Sequence, residues 1–222
     1  MKKYSALSVI VALAVCVSQA AQAQGSKEAK QAQGSKEANR LAREGAEASK
    51  NQDWDKAIEA FRKATDLDRK FAPNLAIAYQ GRGYAFAKNQ QYQEAIQDFS
   101  EALKIKSNDP RIYEQRAAVE MKMYDYDKAL ADYSEIIKLK PDDVRYLNYR
   151  AYIYETKEDI QNSMADTEKA LKIDPNNQEA KARKQRLEQK QAERMPLTPP
   201  PAASPASSPK GSPPSKKKPS PG

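Results

Sequence analysis

The sequence predicts an all-α solenoid of about four stacked helix pairs, and three observations carry that prediction. One phrase recurs: "WDKAIEAFRKATDLD" from Trp54, "YQEAIQDFSEALKIK" from Tyr92, "YDKALADYSEIIKLK" from Tyr126 and, in weaker form, "IQNSMADTEKALKIDP" from Ile160. The copies start 38, 34 and 34 residues apart, and self-similarity at a fixed period marks a repeat architecture. Inside each copy the apolar residues fall on one helical face. Ala57, Phe61, Ala64 and Leu67 do so in the first, Ala95, Phe99, Ala102 and Ile105 in the second, and Ala129, Tyr133, Ile136 and Leu139 in the third. No stretch alternates with period two for long.

The elements follow in chain order. "MKKYSALSVIVALAVCVSQAAQAQ" reads as a secretory leader over 1–23. Lys2 and Lys3 are its basic start, Ala6 to Val17 its apolar run, and Ala21 to Ala23 its small-residue cleavage site. Cleavage after Ala23 is the first choice and after Ala20 the second; an uncleaved anchor is the alternative. "LAVC" also looks like a bacterial lipobox in which Cys16 is lipidated, although Val15 stands where a small residue is wanted. Cleavage after Ala23 leaves a mature chain free of Cys, which suits an oxidising compartment.

Residues 24–37 lack large apolar side chains and read as a flexible spacer. The folded part spans 38–176, in units of about 38–71, 72–109, 110–143 and 144–176. Turn signals punctuate it: "KSNDP", "KPDD" and "DPNN", with Pro110, Pro141 and Pro175 at helix boundaries. Before each repeated phrase lies another helical segment with a small residue at one fixed place: Gly45, Gly83, Ala117, Ala151. Gly in a helix interior costs about 1 kcal/mol relative to Ala, so its recurrence implies a closely packed neighbouring helix. Four extra residues near Arg69 to Leu75 amount to about one helical turn and lengthen either a helix or a loop without loss of stacking. Residues 177–194 read as a polar capping helix, which a solenoid needs at its end. Residues 195–222, rich in Pro, Ser and Lys, read as a disordered tail.

Composition excludes much chemistry. The 222 residues include no His and one Cys, so no histidine base, His or Cys metal site or Ser-His-Asp arrangement is available. No Gly-rich phosphate loop appears. An enzyme is therefore disfavoured, and no cofactor or metal is implied. The formal net charge is +8, but Lys2, Lys3, Lys210 and Lys216 to Lys218 carry most of it. The folded part is nearly balanced, which argues against a nucleic-acid-binding domain.

These residues resemble the tetratricopeptide repeat family, whose unit is a helix pair of about 34 residues. Gly45, Trp54, Ala57, Phe61 and Ala64 carry the match in the first unit, and Gly83, Tyr92, Ala95, Phe99 and Ala102 in the second. Ala117, Tyr126, Ala129, Tyr133 and Pro141 carry it in the third. The fourth departs, with Ile160, Ser163 and Thr167, but keeps Ala151, Ala170 and Pro175. The resemblance implies a right-handed superhelix whose first helices line an inner groove where partner peptides lie. Its inward positions correspond to Asn39, Arg43 and Lys50, then Gln80, Tyr84 and Lys88, then Arg111, Gln115 and Lys122, then Arg145, Asn148, Tyr149 and Tyr152. Of these, Arg43, Gln80, Tyr84, Arg111, Gln115, Arg145, Asn148, Tyr149 and Tyr152 are the candidate partner-binding residues. Arg and Tyr supply bidentate hydrogen bonds and rigid contact area, which suits an acidic segment. Tyr79, Tyr113, Tyr126 and Tyr133 fall at core positions. Some family members bind chaperone C-terminal carboxylates through a Lys and an Asn of the first helix; Ala42 and Ala46 stand there instead.

The expectation is thus a bacterial envelope adaptor, exported to the periplasm or secreted, that binds a protein or peptide. No small-molecule substrate is implied and nucleic acid is disfavoured. The alternatives are an anionic-polymer or nucleic-acid binder acting through Lys216 to Lys218, a weak and salt-sensitive site, and an enzyme.

Overall fold

The computed structural model describes residues 30–194, and the regular elements among these described residues are α- or 3-10 helices, with no strand. The leader, Cys16 and the Pro-rich tail lie outside the described residues. Helix α1 covers residues 30–50. There follow α2 (Trp54–Leu67), a 3-10 turn (Arg69–Phe71), α3 (Ala72–Lys88), α4 (Tyr92–Ile105) and α5 (Pro110–Lys122). The chain continues through α6 (Tyr126–Leu139), α7 (Val144–Thr156), α8 (Ile160–Ile173) and α9 (Gln178–Arg194). From α2 to α9 each helix packs on the next, and the Phe61 ring of α2 lies against Gly45 of α1, so pairs α1–α2, α3–α4, α5–α6 and α7–α8 stack in sequence order, with α9 against the last pair.

Residues 30–37 are helical rather than spacer. Residues 32–38, "AQGSKEA", consist largely of strong helix formers, and Arg40 reaches Glu37 and Glu44 at 2.7 and 3.4 Å on the same surface. Ala38 is already fully buried.

The caps explain where helices start. Asp53, Asp109, Asp143 and Asp159 each accept from a backbone N–H of the first turn that follows, which satisfies one of the helix's orphan donors. Between the helices of each pair the chain reverses through one left-handed residue: Gln52, Gln90, Tyr124 and Glu158, with φ between 59° and 62°. None is glycine, so each turn carries a local conformational cost.

The small residues do what their recurrence implies. A Cβ added to Gly83 would stand 3.0 Å from the Phe99 ring. Phe99 is 1% exposed and sits in an apolar cluster with Leu75, Tyr79, Ala95 and Ile112. A second cluster joins Tyr133, Ile136, Tyr146, Leu147, Ile153 and Ala180. Tyr79 and Tyr133 are buried, while Tyr113 and Tyr126 are partly buried against these clusters.

The four extra residues lengthen a helix by one turn. Helix α3 has 17 residues against 13 in α5 and α7, with Pro73 in its first turn, where a missing N–H does no harm. The degenerate fourth unit packs with polar atoms satisfied locally. Ser163 Oγ donates to the Ala151 carbonyl at 2.8 Å, and Thr167 Oγ1 to the Ser163 carbonyl at 2.7 Å. Both side chains are fully buried, so these bonds remove the penalty of burying a bare hydroxyl.

Candidate functional site: the face of the first helices

The first helices lie side by side. Alternate helices meet through α3–α5 and α7–α9. Gln80 Nε2 of α3 donates to Gln115 Oε1 of α5 at 2.5 Å. The Tyr146 hydroxyl of α7 donates to Glu114 Oε2 of α5 at 3.0 Å. Arg183 Nη1 of α9 donates to Asn148 Oδ1 of α7 at 3.4 Å. These bonds tie α3, α5, α7 and α9 into one continuous face.

On that face the candidate residues separate by what they touch. Tyr84, Tyr149 and Tyr152 are 61%, 45% and 50% exposed, and Ile77 joins them as an exposed aliphatic on α3. The Tyr149 ring lies 5.5 Å from that of Tyr133 and 6.5 Å from that of Tyr146, so its edge is anchored and its free side faces outward. Arg43 is exposed on α1. Gln80 and Gln115 are half-buried and satisfy one another.

Arg111 and Arg145 are exposed but occupied. Arg145 forks onto its own helix cap, Nε to Asp143 Oδ1 at 3.0 Å and Nη2 to Oδ2 at 2.8 Å. That guanidinium holds the Asp143 carboxyl below its ordinary range. Arg111 reaches Asp109 in the same way at 3.4 Å. Burial pushes Asp109 up, but hydrogen bonds from Lys106 and Arg111 leave it below the usual value.

Asn148 is a correction. It was expected to face the groove, yet it is buried between α7 and α9, donating to Asn177 Oδ1 at 3.1 Å and accepting from Arg183. The capping helix covers the place that an inward residue of the last unit would otherwise present. Arg183 is itself buried, held also by Glu155 at 3.3 Å and Glu179 at 2.7 Å.

Sequence reasoning missed a polar ladder behind this face. Arg82, Arg116 and Arg150 bind Asp98, Asp132 and Asp166 through paired hydrogen bonds of 2.6–2.8 Å. Arg116 and Arg150 also donate to Ser100 and Ser134 of the preceding unit at 2.8 and 2.9 Å. Each Asp is buried, and the partnership raises the affinity of each Arg for its proton. The signal was available, because both residue types recur at the 34-residue interval. It is masked because Arg and Asp on a helix are almost always solvent-exposed unless they are paired. The ladder fixes how the two helices of a unit cross and so orients the outward Tyr residues.

This geometry defines a tetratricopeptide-type helical repeat, an all-α solenoid presenting one continuous face of first helices. The chain belongs to the family described as ETO1 C-terminal domain, whose profile matches residues 23–192. It is similar to Hsp70-Hsp90 organizing protein 3 of Arabidopsis thaliana, 38% identical over 64 residues, which cover 29% of this chain and 12% of that protein. Hsp70-Hsp90 organizing protein 1 of the same plant is 33% identical over 104 residues, covering 35% of this chain and 18% of that one. The chain therefore spans less than a fifth of the length of these curated relatives. Among solved structures, a tetratricopeptide repeat protein from Parabacteroides merdae shares the fold with a TM-score of 0.54 at 20% identity, over 71% of this chain and 61% of that one. Among the described residues no helix is long and apolar enough to cross a membrane.

Proposed function

We propose that this chain is a non-enzymatic interaction scaffold that holds an extended segment of a partner protein against its first helices. One observation carries the reading: Ile77, Tyr84, Tyr149 and Tyr152 are large, apolar or aromatic, and exposed on that one face. Aromatic side chains with few rotatable bonds are the groups that anchor interfaces. The relatives that it resembles are named as Hsp70-Hsp90 organizing proteins, a name that denotes a role of the same class. The chaperone-tail mode itself is disfavoured here, because Ala42 and Ala46 offer no polar group at the positions that mode requires.

We place the work of this scaffold in a bacterial cell envelope, in the periplasm or outside the cell. The leader-like segment 1–23 supports export, with anchoring through a lipid on Cys16 as the alternative. The experiment is affinity capture from the envelope fraction with three mature forms: intact, lacking 195–222, and carrying Tyr84, Tyr149 and Tyr152 as Ser. The account expects the tail deletion to keep its partner and the triple variant to lose it. Loss with the tail deletion alone would move the binding element into the tail.

A further inference from the structure

Two of the three edges where successive units meet carry an ion pair from an acid near the start of a second helix to a cation of the next unit. Between the first two units, Asp55 near the start of α2 pairs with Arg82 Nη1 of α3 at 2.5 Å. Between the last two, Asp127 near the start of α6 pairs with Lys157 at the end of α7. In the middle, the residue in the same place is Gln93 of α4, and its amide reaches only the Met123 sulfur at 3.9 Å. That edge lacks the acid, and two cations gather beside it. Lys88 ends α3 and Lys122 ends α5, and both border one cleft of about 370 Å³, with Tyr84, Ala87, Gln90 and Tyr92 as its other walls. Lys122 Nζ lies 5.8 Å over the Tyr92 ring, and neither lysine has an acidic partner among the described residues.

We propose that this cleft between the second and third units docks an acidic, carboxylate-bearing segment of the partner, and that Lys88 and Lys122 supply the charge recognition expected of Arg111 and Arg145. The inference rests on the scaffold reading above and gives it a partner chemistry. Arg111 and Arg145 are already neutralised by Asp109 and Asp143, whereas a carboxylate entering the cleft meets two ammonium groups that hold no acid among the described residues. It also meets the exposed Tyr84 ring, which gives an aromatic or aliphatic neighbour of the acid a surface to lie on. The cleft lies at helix C-termini, whose carbonyls carry partial negative charge. They favour the lysines, whose two positive charges offset that field for a singly charged carboxylate, whereas a dianionic phosphate is better served at a helix N-terminus. Two cations are too few for a nucleic-acid backbone track. Residues 195–222 of the chain itself, with four Lys and no Asp or Glu, carry the wrong charge for this cleft.

The test uses the full chain and two short fluorescein-labelled peptides, one alternating Glu with Tyr and the other Lys with Tyr, followed by fluorescence anisotropy. The Glu peptide should bind and the Lys peptide should not. Lys88→Gln with Lys122→Gln should weaken the Glu peptide about tenfold, or ~1.4 kcal/mol, and flatten its salt dependence. Arg145→Gln should stay within about twofold, ~0.4 kcal/mol on the same scale. Lys88→Glu with Lys122→Glu should gain binding of the Lys peptide, a result that mere unfolding cannot produce. The proposal is overturned by undiminished binding to the double Gln variant, by an equal loss in Arg145→Gln, or by no binding of the Glu peptide to the unaltered chain. An envelope partner whose capture depends on Tyr84, Tyr149 and Tyr152 but not on the two lysines would leave the scaffold reading standing and remove this one.

Discussion

Glu120 makes a stability prediction that follows from the repeat itself. At its place in the second and fourth units stand Phe86 and Tyr154, with the ladder arginines Arg82 and Arg150 over their rings at 5.7 and 6.0 Å. In the third unit a carboxyl occupies the site instead. It is 2% exposed, its Oε1 is 3.9 Å from Arg116 Nε, and its Oε2 has no hydrogen-bond partner. Burial, and then the nearby Asp132 carboxylate, push its pKa from 4.5 to about 8 against the pull of Arg116. The native state thus holds this proton more tightly than the unfolded chain does. The group's contribution is most favourable below about pH 4.5, declines as pH rises towards 8, and levels off above. The corresponding loss is about 3–5 kcal/mol, which lowers the melting temperature by roughly 10 °C in a chain of this size. The assay is thermal unfolding by circular dichroism from pH 5 to 9, for the native chain and for Glu120→Gln and Glu120→Phe. Other carboxylates contribute equally to all three, so the difference between curves isolates Glu120. The native chain should lose stability relative to both variants across this range. Parallel curves would refute the assignment of a buried, protonated carboxyl.

Three further outcomes are expected. Phe99→Ala should cost about 3–5 kcal/mol, whereas the exposed Lys104→Ala should leave the melting curve unchanged; equal curves would show that the repeat register is wrong. Gln90→Gly should raise stability by about 0.5–1 kcal/mol, because glycine carries no steric penalty at a φ of 62°, and denaturant unfolding measures it. If the chain is exported as proposed, the intact mass of its mature form should start at Gln24, and a lipid adduct on Cys16 would put the lipid-anchored alternative in its place.

The helix pairs were legible because their signals are local and periodic. Aromatic starts, small residues at a fixed crossing and acidic or proline caps each act within one unit and recur in the next. The extra turn was legible only as a choice between loop and helix; Pro73 in the first turn of α3 and the 3-10 turn at Arg69–Phe71 decided it. The face was less legible, because inward orientation does not determine what a side chain already holds. Arg145 faces outward yet spends its fork on Asp143, and Asn148 is covered by a helix from the next stretch of chain. The Trp54–Gly81 contact was also missed. A Cβ on Gly81 would fall 2.5 Å from the indole, and only the size of that ring, where other units start with Tyr or Ile, hinted at it.

The central claim is that the first helices form the partner-binding face, and site-specific photo-crosslinking in the living source cell tests it most directly. A photoreactive residue is placed at Tyr149 on α7, and in a second strain at Lys138, exposed on α6. The account predicts a discrete crosslinked partner at Tyr149 and none at Lys138. The reverse pattern, or the same product from both positions, would contradict it.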